Sequence, residues 1–164
     1  DFLKNEGAGN VWEQYLKFAF VRNPFSYVVS MFKMLAFEEH FRDPRKLPLY
    51  ENSIPTKFSE FVKKLTDEKN PLFRKEDQHM WTQTDWLCDE DGKILVDFIG
   101  KFENMQSDFN KVCEKVKIEK TRLPKHNISK VKIPYQEYYT DEVVDLVFSY
   151  YKNDFKIFNY ESQL

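Results

Sequence analysis

The chain has 164 residues, of which 41% are hydrophobic and 32% charged, and this composition is typical of a single globular domain with a buried core. Its net charge of −2 offers no general attraction to nucleic acid, so we expect no nucleic-acid partner. Two cysteines are too few for a disulfide framework or a structural zinc site, and no apolar run is long enough to span a membrane.

The first predicted elements are a strand and a helix joined by Arg-Asn-Pro. Residues 17–22 (KFAFVR) have the aromatic and apolar composition of a short buried strand. Asn23 is a good N-cap, and Pro24 suits the first helical position because its missing N–H costs nothing there. Apolar residues then recur at helical spacing, which predicts a helix to about Glu39.

Arg22 stands at the junction of this strand and helix. A helix that starts after a strand presents unpaired N–H groups and a positive dipole, and Arg22 adds a charged, forked set of donors suited to phosphate. Ser30 lies about 9 Å along the helix from Pro24, so an anion that contacts Arg22 and Ser30 must lie beside the first two turns. The alternative is an ordinary corner with a solvated arginine.

Two irregular stretches and one helix follow. Residues 40–55 contain three prolines and mixed charge, as expected for a surface loop. Thr56 can cap a helix through about Asp67, whose inward residues are Phe58, Phe61, Val62 and Leu65. Residues 70–86 form the second irregular stretch.

A second strand and two further helices complete the pattern. Residues 93–102 (KILVDFIGKF) form a nearly continuous apolar run, as in a buried parallel strand. Glu103 and Asn104 then open a helix, and Thr140 caps the last one. We expect inward faces formed by Met105, Phe109, Val112, Cys113 and Val116, and by Val143, Leu146, Val147, Tyr150 and Tyr151. This order predicts an α/β fold whose parallel sheet needs more strands, which we expect before residue 1.

Basic residues are concentrated in the second half of the chain. Eight lysines and arginines stand against two acids in residues 111–132: Lys111, Lys115, Lys117, Lys120, Arg122, Lys125, Lys130 and Lys132. An anion-binding loop and an ordinary solvated face are both compatible with this pattern.

Three segments resemble one known family. FAFVRNPFSYVVS resembles the segment of sulfotransferases in which an Arg and a Ser eight residues on bind the 3′-phosphate of the sulfuryl donor PAPS. HMWTQTDWLCDEDGKILVDFIGKFENMQSDFNKV and LPKHNISKVKIPYQEYYTDEVVDLVFSYYKNDFKIFNY are similar to later segments of the same family. The three segments occur in the expected order over most of residues 17–160, and they are most similar to the carbohydrate sulfotransferases of family 2.

The resemblance implies a fold, a reaction and a donor site. The expected fold is a P-loop-NTPase-like three-layer sandwich with a small parallel sheet flanked by helices. The expected reaction transfers a sulfuryl group from PAPS to a hydroxyl of a carbohydrate, leaves PAP, and needs no metal. Arg22 and Ser30 would bind the 3′-phosphate. A basic loop would close over the nucleotide, formed by Lys125, Ser129, Lys130 and Lys132.

The chain departs from the family pattern in one respect. Family members hold the 5′-phosphosulfate with a loop that contains Lys and Ser/Thr, and EGAGN (6–10) does not match such a loop. We expect this loop before residue 1, where the additional strand is also expected. The alternative is a non-catalytic nucleotide- or glycan-binding domain with the same fold. A P-loop kinase is disfavoured because the sequence has no evident Asp-based Mg²⁺ site.

The acceptor hydroxyl needs a base, and histidine is the side chain best matched to neutral pH. His79 lies in the family-like HMWTQTDW segment and is the candidate, although a structural or substrate-orienting role is the alternative. His40 and His126 lie in polar loops and are expected to be solvated. Stacking on sugar or adenine and packing in the core are both open for the aromatic group Trp81, Trp86, Tyr135, Tyr138 and Tyr139.

The compartment is inferred from composition alone. Many Lys, Asn and Phe residues and the absence of disulfide pairing favour a bacterial, cytoplasmic protein. The Golgi lumen is the alternative, since the family resembled here occurs in both settings.

Overall fold

The computed structural model describes residues 11–37, 55–67, 69, 81–126 and 133–164, and these residues fall into two compact units. Unit 1 contains residues 11–21 and 87–126, and unit 2 contains residues 22–37, 55–67, 69, 81–86 and 133–164. The expectation of one domain over residues 1–164 stays a prediction.

Unit 1 is built on a parallel pair of strands. β1 (Phe18–Val21) pairs with β2 (Phe98–Lys101), so that Phe18 lies opposite Phe98 and Val21 opposite Lys101. A short helix α1 (Val11–Gln14) precedes β1, and a 3₁₀ turn leads from β2 into α5 (Met105–Val116). The predicted α/β class and parallel pairing are confirmed, whereas the three-layer sandwich stays a prediction because the described residues contain only these two strands.

The second strand is shorter than predicted. A turn centred on Gly92, with φ of 78°, returns the chain so that Ile94 forms an antiparallel bridge with Cys88. Leu95 is exposed, and the strand begins only at Phe98. The prediction of a continuous buried strand over residues 93–102 is therefore wrong in its first half.

Asp108 joins β2 to α5. Its carboxylate accepts a hydrogen bond of 2.8 Å from the Lys101 main-chain N–H and one of 2.7 Å from Lys111 Nζ. The side chain is buried, and these two donors, the main-chain N–H first, lower the pKa of Asp108 below its usual range. Gly100 of β2 packs closely against the Phe20 ring of β1, since a Cβ at position 100 would lie 2.5 Å from that ring.

We predict that Asp108 makes the free energy of unfolding fall as the pH is lowered in the acidic range. Since its folded pKa lies below the unfolded value of about 4, its contribution is present above pH 4 and lost as the pH falls through the folded pKa. Asp108→Asn should lower the free energy of unfolding by about 2 kcal/mol at pH 6, where a charged hydrogen bond is lost. Urea denaturation should show this difference shrinking towards pH 2.

The variant Lys111→Met separates the two donors. It should retain most of the pH dependence, because the Lys101 N–H is the larger cause of the lowered pKa of Asp108. If the difference in unfolding free energy between the wild type and Asp108→Asn stays constant from pH 6 to pH 2, Asp108 is not the source of the pH dependence.

Unit 2 is a helical cluster around an aromatic core. Its main elements are α2 (Pro24–Phe37), α3 (Phe58–Leu65), α6 (Asp141–Tyr150) and α7 (Lys152–Ile157), and the first residues of α4 (Gln83–Leu87) also belong to it. The most deeply buried members of the core are Phe25, Val28, Phe61, Val62, Val147 and Tyr151. The predicted inward residues of α3 are all buried, which confirms that face.

Three details of the helices differ from the prediction. Lys57, not Thr56, stands at the N-cap of α3. Val116 is 42% exposed, because α5 ends there and its buried face is formed by residues one or two turns earlier. The last predicted helix divides at Tyr151, and α7 was missed.

Three tyrosines of the predicted aromatic group pack against the core of unit 2. Tyr135, Tyr138 and Tyr139 are partly buried against it, and the Tyr139 hydroxyl donates a 2.8 Å hydrogen bond to the Phe25 carbonyl. Burial raises the pKa of Tyr139 and that of the fully buried Tyr151. Among the described residues, the Tyr151 hydroxyl has no hydrogen-bond partner.

We predict opposite effects for two Tyr→Phe substitutions in this core. Tyr139→Phe removes a buried hydrogen bond and should lower the free energy of unfolding by about 1 kcal/mol. Tyr151→Phe keeps the ring and removes a desolvated hydroxyl, so stability should be unchanged or higher. Urea denaturation followed by tryptophan fluorescence measures both, and equal losses would refute this description of the core.

Candidate functional site

The N-terminus of α2 is closed by its own cap. Asn23 Oδ1 accepts the Phe25 N–H at 2.9 Å and the Ser26 N–H at 3.3 Å, and the Asn23 carbonyl accepts the Tyr27 N–H at 2.8 Å. Pro24 has no N–H to offer. The predicted cap is confirmed, but the expectation of unpaired N–H groups here is wrong. An anion recognised at this helix must therefore contact side chains beside the first turns.

The Arg22 side chain is directed along the first turn of α2. Its Nε donates a 2.8 Å hydrogen bond to Ser26 Oγ, and Ser26 is only 8% exposed. Arg22 itself is half-buried, as is Ser30. Ser26 and Ser30 are four residues apart and lie on the same face of α2. Binding of one anion by Arg22 and Ser30 stays a prediction.

Both main-chain polar groups of Arg22 form hydrogen bonds with the side chain of Gln83. Gln83 Oε1 accepts the Arg22 N–H at 2.7 Å, and Gln83 Nε2 donates to the Arg22 carbonyl at 2.9 Å. A side-chain amide carries one acceptor and two donors, so it can pair with both polar groups of one residue as a neighbouring strand would. Gln83 therefore fixes the peptide groups on both sides of the Arg22 Cα.

Gln83 is held in turn by the buried carboxylate of Asp154. Asp154 Oδ2 accepts the Gln83 N–H at 3.0 Å and Nε2 at 3.2 Å, and Oδ1 accepts the Thr84 N–H at 2.9 Å and Oγ1 at 2.5 Å. Asp154 is fully buried, and these four bonds compensate the loss of water around it. We call Arg22, Ser26, Gln83, Thr84 and Asp154 the Arg22 network.

The charge of Asp154 also acts on a neighbouring tyrosine. Burial, followed by repulsion from the Asp154 carboxylate, raises the pKa of Tyr27. Its ring packs against Tyr151 with centroids 6.2 Å apart.

Sequence reasoning missed four members of the network, which are Ser26, Gln83, Thr84 and Asp154. Ser26 stands four residues after Arg22, a spacing that was available as a signal. Gln83 and Asp154 both lie in segments that resemble the sulfotransferase pattern, in TQTDW and in NDF. No spacing rule links them, because they are 71 residues apart and meet only in the folded unit.

Four predicted site residues lie outside the described residues: His79, Ser129, Lys130 and Lys132. His40, which we expect to be solvated, lies outside them as well. Lys125 and His126 are described and exposed. Two of the basic residues are engaged locally in unit 1, since Lys111 pairs with Asp108 at 2.7 Å and Lys120 with Glu114 at 2.5 Å.

The two tryptophans of the predicted aromatic group behave differently from the tyrosines. Trp81 and Trp86 pack together with ring centroids 5.0 Å apart, and Trp86 remains 51% exposed. Stacking on a ligand therefore remains open for the tryptophans, whereas the tyrosines serve the core.

Within the described part of the chain, no group of three or more His, Cys, Asp or Glu residues is placed to hold a metal ion. None of the helices described there combines the length and the hydrophobicity that crossing a membrane requires.

Comparison with known proteins identifies the family. The model of the sulfotransferase family matches residues 1–161. No curated protein and no solved structure matches the chain. Because the family match covers nearly the whole chain, this protein belongs to the sulfotransferase family.

Proposed function

We propose that this protein transfers a sulfuryl group from PAPS to a hydroxyl of a carbohydrate or related acceptor. The acceptor oxygen bonds to sulfur as the bond from sulfur to the 5′-phosphate oxygen breaks in line, and PAP leaves. The acceptor proton passes to a base. Membership of the sulfotransferase family supports the reaction class. The choice of donor rests on the resemblance of FAFVRNPFSYVVS to the family's 3′-phosphate segment. The anchored main chain and Nε of Arg22 suit an anion-binding role immediately before α2.

The donor site is proposed on the side of α2. Arg22 and Ser30 bind the 3′-phosphate, and Ser26 orients the guanidinium through Nε. A guanidinium has five N–H donors in a fixed fork, and the bond to Ser26 uses one of them. Since the capped N-terminus of α2 has no unpaired N–H group, side-chain donors carry the recognition of the phosphate.

The remaining roles are proposed from the sequence resemblance. His79 is the proposed base for the acceptor hydroxyl, with a substrate-orienting role as the alternative. The segment that contains Lys125, Ser129, Lys130 and Lys132 is proposed to close over the nucleotide. Catalysis then consists of positioning and of cations placed around the developing charge on the sulfuryl oxygens.

We predict that PAP stabilises the full-length protein through Arg22. At a PAP concentration of 100 times its Kd, the stabilisation is about 2.7 kcal/mol, so Tm should rise by about 5 °C or more. Arg22→Ala should abolish the rise, because the phosphate loses its charged partner. Lys63→Ala is the matched control: it removes an exposed cation that pairs with Glu142, and the PAP shift should persist.

Absence of a shift at saturating PAP would refute the donor assignment. A shift that survives in Arg22→Ala would refute the role of Arg22. A screen of hydroxyl acceptors with radiolabelled PAPS then separates the enzyme from the second candidate, a non-catalytic nucleotide- or glycan-binding domain. Binding of PAP without transfer to any acceptor would favour that second candidate.

A further inference from the structure

The contact between Gln83 and Arg22 restrains both main-chain torsions of Arg22. The Arg22 N–H belongs to the peptide before its Cα, and the Arg22 carbonyl belongs to the peptide after it. Gln83 bonds to both, at 2.7 and 2.9 Å. A rotation about φ or ψ of Arg22 therefore breaks at least one of the two bonds. The direction in which the Cα–Cβ bond leaves the main chain is fixed as a result.

The orientation of the Gln83 amide is itself determined. Its two N–H groups face the Arg22 carbonyl and Asp154 Oδ2. A flip of the amide would place Oε1 against these two acceptors, which is repulsive. The carboxylate of Asp154 therefore selects the one orientation of Gln83 that can pair with Arg22. Thr84 keeps the carboxylate in place through two bonds to Oδ1.

We propose that Gln83, oriented by Asp154, is a positioning residue that holds the Arg22 guanidinium in the direction needed to bind the anion. This inference rests on the proposed function insofar as the anion is the donor's 3′-phosphate. Gln83 restrains Arg22 at the main chain and Ser26 restrains it at Nε, so the long side chain is fixed at both ends. The Arg22 side chain then loses its rotamer entropy when the protein folds, and binding of the anion does not have to offset that loss.

A purely structural role for Gln83 predicts different behaviour. In that case its loss lowers the stability of unit 2, and the folded fraction binds PAP with unchanged affinity. A positioning role predicts weaker binding by molecules that are fully folded. The two cases are separated by measuring Arg22 directly and by measuring affinity well below Tm.

The first arm of the experiment needs no ligand. In the full-length protein, Gln83→Met keeps the approximate side-chain length but removes both polar atoms. Hydrogen exchange observed by NMR should then be at least about tenfold faster at the Arg22 main-chain N–H, while the Val28 N–H within α2 keeps its rate. Unchanged exchange at Arg22 would overturn the proposal.

The second arm measures PAP binding by calorimetry. Gln83→Met should weaken PAP binding about tenfold, and Thr84→Val, which removes one bond to Asp154, by about two- to threefold. Tyr139→Phe is the control, because it loses a buried hydrogen bond to the main chain in the same unit but should bind PAP normally. Thr84→Val also serves as the test if Gln83→Met does not fold.

A double variant shows whether Gln83 acts through Arg22. In an Arg22→Ala background, titrated with PAP concentrations high enough to measure its weaker binding, Gln83→Met should cause no further loss of PAP affinity. An equal additional loss, or normal binding by Gln83→Met alone, would overturn the proposal. If the wild-type protein does not bind PAP, the proposed function fails, and the exchange rate at Arg22 alone decides whether Gln83 fixes this residue.

Discussion

The buried carboxylate of Asp154 is the constraint on which the candidate site depends. A fully buried charge is tolerated only when hydrogen-bond donors replace its water, and here Gln83 and Thr84 donate four hydrogen bonds to it. The same contacts orient the Gln83 amide, which forms hydrogen bonds with the main-chain N–H and carbonyl of Arg22. The cost of burying Asp154 is thus offset by contacts that also define the position of one arginine.

The capped start of α2 decides what kind of anion site is possible. Helix N-termini commonly bind phosphate through unpaired main-chain N–H groups, but Asn23 and Pro24 leave none at the start of α2. Recognition of an anion beside α2 therefore rests on side-chain donors. The geometry of such a site depends on side-chain rotamers, so a rigid support for Arg22 would keep its guanidinium in the binding orientation.

Local parts of the fold could be predicted from the sequence, and tertiary parts could not. The Asn23 cap, the start of α2 at Pro24 and the inward face of α3 follow from neighbouring residues, and the structure confirms them. The apolar run at residues 93–102 predicted too long a strand, because composition does not reveal the bridge from Ile94 to Cys88. Gln83 and Asp154 are 71 residues apart in the sequence, so their pairing becomes visible only in the folded structure.

The proposed function depends most directly on recognition of the donor's 3′-phosphate by Arg22. The most direct measurement compares the affinities of PAP and adenosine 5′-phosphate, which lacks that phosphate, for the wild-type protein and for Arg22→Ala. We expect the wild type to prefer PAP by about a hundredfold or more, as a charged hydrogen-bonded contact implies, and Arg22→Ala to lose most of this preference. An unchanged preference in Arg22→Ala would contradict this role of Arg22.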